Sequence, residues 1–396
     1  MFKSTFTAAS RLILAASAAL AVAACGEPTS APFADAAPSL HAVKDREPAS
    51  SIAWNQTARD LIASRAITST FVQVRILTYL SVAQYNAVVT AEDAKKEKGG
   101  DHASPAAAAA GASLVVLKSF FPLDAGLLDG KLLAQQTEGA GKHEDFAAGE
   151  AIGRAVGAQV LAYAATDKVG LTVPPANPGG PGKWTGVNSV RGNYGARAFA
   201  LTSGDQFRPA PPPAFGSPEF NAALAEIRAL SDGLTPEQLL IAQTWNPRGP
   251  AYMNSVGAAM IVDHHRSERD AARILALANM AAFDVANACF DAKFAYYLIR
   301  PSQADPMIKL PIGLPNHPSY PSGHSCFTAA YGTVFARAFP KERELLDAMV
   351  EEAGLSRMYG GLHYRFDCEV GQELGRQVAA QVLRTAPRGH EVIPLD

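Results

Sequence analysis

Residues 293–301 read KFAYYLIRP, residues 317–324 read HPSYPSGH and residues 356–367 read SRMYGGLHYRFD. Lys293, Arg300 and Arg357 bring three cations into these short blocks, beside His317, His324, His363, a Ser322–Gly323 pair and Asp367. Lys293 and Arg300 are seven apart, so a helix running on to Arg300 and stopped by Pro301 presents both on one face. Cations on an otherwise apolar helix need a partner, because burying unpaired charge is costly. An anion is one such partner; a local carboxylate such as Asp291 is the other. Pro-Ser-Gly at the start of a helix from Gly323 offers backbone N–H groups and a hydroxyl to an anion. It also sets His324 where it can pass a proton to or from an anion oxygen. A plain serine cap beside a packed histidine is the alternative. His363 and Asp367 are four apart, which predicts one shared helical face. A carboxylate on one imidazole nitrogen fixes the tautomer and leaves the other as a lone-pair donor. Arg357 adds a planar fork for two anion oxygens. A structural His–Asp pair beside a surface arginine is the alternative for this block. The three blocks together point to a pocket for a tetrahedral oxyanion.

Outward from that stretch the body reads as all-α. Helices are expected over 54–65, 70–91, 106–121, 124–138 and 143–165, and again over 218–230, 235–244, 251–265, 268–300, 323–339, 341–357 and 362–383. No alternating β-branched run is long enough for a sheet. Residues 170–218 break the pattern with PPANPGGPGKW and RPAPPPAFGSP. That stretch cannot continue a helix and is long for a structureless loop. Its Trp184, Tyr194, Phe199 and Phe207 argue for an ordered Pro/Gly-rich lobe over the site mouth; a linker between two helical halves is the alternative. The expected division is a single domain over 51–396. Its parts are an N-terminal half (51–169), the lobe (170–218) and a catalytic half (219–396).

Hydrophobic residues make up 48 % of the 396-residue chain, charged residues 18 %, and the formal charge is -2. This profile fits a globular protein with a sizeable core and no nucleic-acid footprint. Residues 1–24 read as an export signal, with basic Lys3 and Arg11 before an apolar run too short to span a membrane as a mature helix. The run ends in Val22-Ala23-Ala24-Cys25-Gly26, which resembles the lipobox of bacterial lipoproteins. Acylation of Cys25 would leave residues 25–50 as a flexible tether and hold the domain at a membrane surface, periplasmic or outer-membrane-anchored. An ordinary secretory signal cut near an alanine is the alternative. Cys289, Cys326 and Cys368 remain; one bridge among them or three buried thiols are both compatible with an exported chain.

In their order and spacing, K-x6-RP, PSGH and SR-x5-H-x3-D resemble the three signature motifs of the type 2 phosphatidic acid phosphatase and vanadium haloperoxidase superfamily, with every signature position filled. The resemblance implies a helical bundle of that type. It also implies that Lys293, Arg300, Arg357, Ser322 and the Gly323 amide hold the oxyanion, that His363 is its apical ligand or nucleophile, that His324 is the acid/base opposite, and that Asp367 orients His363. Vanadate chemistry and phosphate chemistry share this residue set. The absence of spanning segments, the flanking text ANACFDAKFAYYLIRP and the extra helical half lean toward a vanadate-dependent haloperoxidase, with hydrogen peroxide and halide as substrates. A soluble acid phosphatase acting on a phosphomonoester through phospho-His363, with no cofactor, is the alternative. A non-catalytic oxyanion-binding lipoprotein is the third reading. His317 stands where chloroperoxidases of the family carry phenylalanine and bromoperoxidases histidine, which favours bromide or iodide. Phe290 is expected to line the same cavity, and a simple loop histidine is the alternative for His317.

Overall fold

Long helices form where apolar residues recur at helical spacing and a small polar residue caps the start. The structure is a computed structural model that describes residues 49–98, 102–139, 144–187, 189–387 and 389–393. The expected export signal, Cys25 and most of the expected tether lie outside these residues. The first half contains α1 (Ser50–Ser64), α2 (Thr70–Lys98), α3 (Pro105–Phe120), α4 (Ala125–Gly139) and α5 (Phe146–Ala164). The second contains α6 (Pro218–Asp232), α7 (Pro236–Trp245), α8 (Pro250–Asp263), α9 (Glu268–Tyr296), the single turn α10 (Pro301–Ala304), α11 (Gly323–Ala338), α12 (Arg343–Tyr359) and α13 (Arg365–Thr385). Ser104, Ser217, Thr235, Ser267 and Ser322 each cap a helix, their hydroxyls accepting a backbone N–H in its first turn. The only sheet among the described residues is a two-residue parallel pairing, His102–Ala103 with Glu144–Asp145.

The axis of the fold is α9. It is long and apolar enough to cross a membrane, yet from Ala271 to Phe294 it is enclosed by other helices almost throughout. It packs on α2 from the first half and on α11 and α13 from the second, so one continuous core runs through both. A buried amide network pins these layers. Asn55 donates to Asn254 (2.9 Å), Asn254 to Asn279 (2.8 Å) and Asn279 to Ser81 (2.9 Å), while Tyr331 donates to Asn279 (2.8 Å). That network joins α1, α8, α9, α2 and α11, and buried polar groups satisfied in this way fix a unique packing. Further along, α11 and α13 approach very closely. A Cβ on Gly371 would lie 2.7 Å from the Ser322 carbonyl, and one on Gly375 2.5 Å from the Cys326 carbonyl. This contact brings the start of α13 against the start of α11.

Three expectations are corrected here. First, α9 does not reach Arg300. It ends at Tyr296, and Tyr297 takes a left-handed conformation (φ 49°) with its N–H on the Lys293 carbonyl. Arg300 therefore follows the helix on extended backbone (φ -77°, ψ 153°). Second, α13 begins at Arg365, so His363 precedes it. Third, the described part of the Pro/Gly-rich stretch is ordered, as expected, but it is strapped along α9 and contributes no lining to the site mouth. The Asp284 carboxylate accepts the Phe199, Ala200 and Leu201 amides (2.7–3.2 Å). Asn287 accepts the Gly195 amide and donates to the Ala196 carbonyl. Asp291 pairs with Arg208 at 2.6 Å. Further on, Trp184 donates to the Tyr297 carbonyl and Ile299 to the Gly182 carbonyl. Asp291 is thus engaged by the strap and offers no partner to Lys293.

Candidate active site

Where α9, the 315–324 loop, α11 and the α12–α13 junction meet, they enclose a cavity of about 240 Å³. Its buried end is lined by Gly323, His324, Arg357 and His363. Lys293, Arg300, Ser322 and Asp367 stand in the layer behind, all fully buried.

Lys293 sits in the last turn of α9 and Arg357 in the last turn of α12, where the helix dipole favours a cation. The Lys293 ammonium donates to the carbonyls of Pro318 (2.9 Å), Ser319 (2.8 Å) and Pro321 (2.5 Å). It clamps the loop that carries the helix-opening Pro-Ser-Gly. Arg300 reaches the same place from extended backbone: Nη1 donates to the Leu362 carbonyl (2.8 Å) and to His363 Nε2 (2.9 Å), and Nη2 to His317 Nδ1 (3.0 Å). Arg357 bonds Ser356 Oγ (2.9 Å) and the Ala242 carbonyl (3.1 Å). None of the three forms an ion pair among the described residues. Burial lowers Lys293 to about 8 and both arginines to about 10.

His363 is held in one tautomer from both sides. Its Nδ1–H donates to Asp367 Oδ2 (2.9 Å), and its Nε2 lone pair accepts from Arg300. Asp367, in the first turn of α13, reaches back to make that bond and also accepts from Ser319 Oγ (2.5 Å) and the Tyr364 N–H (3.2 Å). Its other oxygen, Oδ1, is buried without a hydrogen-bond partner. Burial raises Asp367 to about 6 against the pull of Ser319, Lys293 and Arg300. His363 is held well below the ordinary histidine range by burial and by Arg300 and Lys293, so it is a neutral donor. His324 donates from Nε2 to the Trp245 carbonyl (3.2 Å) and is lowered by burial and by Arg357. His317 packs edge-on against Phe290, ring centroids 5.3 Å apart, and both line the cavity. Ser322 acts as the helix cap, its Oγ accepting from the Ser325 N–H. Cys289, Cys326 and Cys368 are free and buried.

Residues 342–391 match the family model described as the VCPO second helical-bundle domain. A crystal structure described as the first bacterial vanadium-dependent iodoperoxidase superposes with a TM-score of 0.71 at 24% identity, covering 85% of this chain and 96% of that one. The chain has the fold of the vanadium haloperoxidases. Bacterial vanadium-dependent chloroperoxidase structures agree with this. The apo form has a TM-score of 0.64 at 13% identity, over 80% of this chain and 94% of that one. The holo form has 0.61 at 14%, over 80% and 92%. No curated protein sequence matches significantly.

In this haloperoxidase fold the cavity wall also contains residues that the motif blocks do not carry. Thr70 and Phe71 come from the start of α2, Phe327 and Thr328 from α11, and Trp245, Asn246 and Arg248 from the α7–α8 turn. The Trp245 indole donates to buried Glu352 (2.8 Å), which fixes the ring. Arg248 lies over Tyr252 (4.3 Å) and Trp245 (5.2 Å). The one sequence signal here is WNPRGP at 245–250, a Pro/Gly interruption carrying an aromatic and a cation. No described residue of the 170–217 strap lines the cavity; Gly192 backs its wall instead, where a Cβ would press on Phe290 and Phe71.

Proposed function

We propose that this chain is a vanadate-dependent haloperoxidase that oxidises bromide or iodide with hydrogen peroxide. The observation that carries this reading is an excess of buried positive charge. Lys293, Arg300 and Arg357 are buried around the inner end of the cavity, and none of them has an ion-pair partner among the described residues. Buried cations in such excess call for an anion. The donor set fits vanadate. His363 presents a neutral nitrogen lone pair fixed by Asp367, and the space before Gly323 is open, a Cβ there meeting nothing within 4 Å. The first amides of α11 have no acceptor within their own helix and face the same end. No group of three or more His, Cys, Asp or Glu suited to a bare metal ion occurs among the described residues.

Vanadate, when bound, supplies a Lewis-acid centre that activates peroxide for oxygen transfer to halide. His363 Nε2 would be its protein ligand, with Arg300 turning from that nitrogen to an oxyanion oxygen. Arg357 adds a bidentate donor from the cavity wall. Lys293 holds the 318–321 loop and adds its charge to the site. His324, neutral when the site is free of anion, takes a proton from peroxide and later returns it. His317 and Phe290 form the adjoining wall and would set halide preference. Export and acylation at Cys25 are part of the same proposal, and Cys25→Ala should move the protein from the membrane to the soluble fraction.

The test loads one preparation with vanadate and follows bromination of a phenolic dye, with hydrolysis of an aryl phosphate measured in parallel. Vanadate-dependent bromination with His363→Ala inactive is the expected result. Phosphate hydrolysis that vanadate inhibits, with no halide oxidation, would replace this reading by a phosphatase acting through His363.

A further inference from the structure

Two carbonyls at the end of α7 accept hydrogen bonds from the cavity's own side chains. Arg357 Nη2 donates to that of Ala242 (3.1 Å) and His324 Nε2 to that of Trp245 (3.2 Å). The last four carbonyls of a helix lack partners within it and carry the negative end of its dipole. The position of this helix end depends on one side chain. Trp245, the last residue of α7, is 1% exposed and packs edge-on against Tyr252, ring centroids 5.8 Å apart. Its indole N–H donates to Glu352 Oε1 (2.8 Å), a buried carboxylate on α12, the helix that also carries Arg357. Helix α12 thus holds the end of α7 twice, by Glu352 on the indole and by Arg357 on the Ala242 carbonyl. The Arg248 amide closes the turn on the Trp245 carbonyl (3.1 Å), which has a second lone pair for His324. A carbonyl only accepts, so His324 Nε2 carries a proton, and the neutral ring keeps its lone pair on Nδ1. Asp367 does this for His363 with a charge; for His324 the main chain does it. Burial and Arg357 push His324 down, against which the Trp245 and Asn246 carbonyls favour its charged form.

We propose that Trp245 and Glu352 are positioning residues for proton transfer at His324: the Glu352–indole hydrogen bond holds the α7 carbonyl that keeps one proton on Nε2 and leaves Nδ1 to receive the proton given up by peroxide. In that step the peroxide O–H bond breaks, its electron pair stays on oxygen and the proton bonds to Nδ1. The imidazolium charge so formed is met by the negative end of α7. The proposal rests on the haloperoxidase reading only for the identity of the proton donor. The tautomer and the brace that sets it belong to the chain itself.

The test reads the tautomer in the full chain without vanadate, by nitrogen NMR of protein carrying isotope-labelled histidine, with His324→Gln identifying the resonances. His324 should show a protonated Nε2 and an unprotonated Nδ1. Trp245→Phe keeps a ring and removes the indole N–H, and it should bring in the form protonated at Nδ1. After vanadate loading the same variant should lose about tenfold in kcat for bromide oxidation, with KM for peroxide and vanadate affinity within about threefold. Glu352→Leu should match it, whereas Glu352→Gln keeps an acceptor for the indole and should retain at least about threefold more activity than Glu352→Leu. A proton on Nδ1 in the unaltered chain would overturn the proposal before any variant is made. An unchanged tautomer or an unchanged kcat in Trp245→Phe would overturn it as well. So would a fall in kcat matched by an equal loss of vanadate, which is what a general loosening of the site gives. If the unaltered, loaded chain oxidises no halide while the tautomer responds as described, the brace stands and the haloperoxidase reading falls.

Discussion

Replacing Asp367 by asparagine removes a charge and almost no volume, and it sets two effects against each other. Oδ2 accepts from Ser319 at 2.5 Å, from His363 at 2.9 Å and from the Tyr364 amide at 3.2 Å, wholly out of solvent. An amide cannot take over all three. If its nitrogen faces His363, Nδ1 must accept and Nε2 must carry the proton, which then meets the Arg300 Nη1 donor 2.9 Å away. A hydrogen bond to a charged group is worth about 1.5–3 kcal/mol. At about 1.4 kcal/mol per decade, its loss weakens any ion that is bonded to His363 by roughly 10- to 100-fold. Losing the carboxylate also leaves Lys293, Arg300 and Arg357 with no counter-charge, which strengthens the pull on any anion held by charge alone. Asp367→Asn should therefore lose vanadate, measured by equilibrium dialysis and vanadium analysis, while sulfate, measured by thermal shift, binds as well as before or better. Equal vanadate affinity in the two proteins would refute the tautomer argument, as would a parallel fall for both anions in a variant with native circular dichroism.

Three further outcomes follow from the same geometry. Burial takes Lys293 from 10.5 to about 8. Between those values the unfolded chain holds a proton that the folded one has released. Stability of the anion-free protein should thus rise with pH across about 8 to 10.5, by on the order of 3 kcal/mol, and oxyanion affinity should fall above about 8. Urea denaturation at pH 7.5 and 10 checks this, and Lys293→Met should flatten the difference. Gly323→Ala adds a Cβ that meets nothing in the protein. The melting temperature should hold or rise slightly, whereas vanadate affinity should drop at least tenfold if the methyl fills the anion's place. Gly361 has φ 70° and a Cβ there would lie 2.4 Å from the Lys309 carbonyl. Gly361→Ala should cost about 1–3 kcal/mol or more in a denaturant titration.

Most helices were legible from the sequence because apolar periodicity and Ser/Thr caps coincide at their starts, as at Ser217, Thr235, Ser267 and Ser322. The errors fall where a helix boundary has no such signal. Tyrosine seldom adopts positive φ, so nothing in the sequence reports the end of α9 at Tyr297, and apolar periodicity carries the helix on to Arg300. Tyr364 is not an N-cap type, so the sequence does not report that the helix begins after His363. The His363–Asp367 pairing nevertheless occurs, because a carboxylate in the first turn can reach back as well as along a face. The direction taken by the strap, and the part played by Trp245 and Arg248, depend on tertiary packing between segments far apart in the chain. No local pattern reports them.

Much of the strap's attachment runs through its main chain. Asp284 and Asn287 are side chains of α9, but the groups they hold at 195–201 are amides and carbonyls, and Gly182 and Trp184 are tied to 297–299 the same way. Fastening of this kind is indifferent to most of the side chains it fastens. Many exposed strap positions should therefore accept exchange for other residues while the path of the chain is kept, whereas Asp284 and Asn287 should not. That makes the stretch a natural place to insert tags or graft new recognition surfaces without disturbing the chemistry behind it.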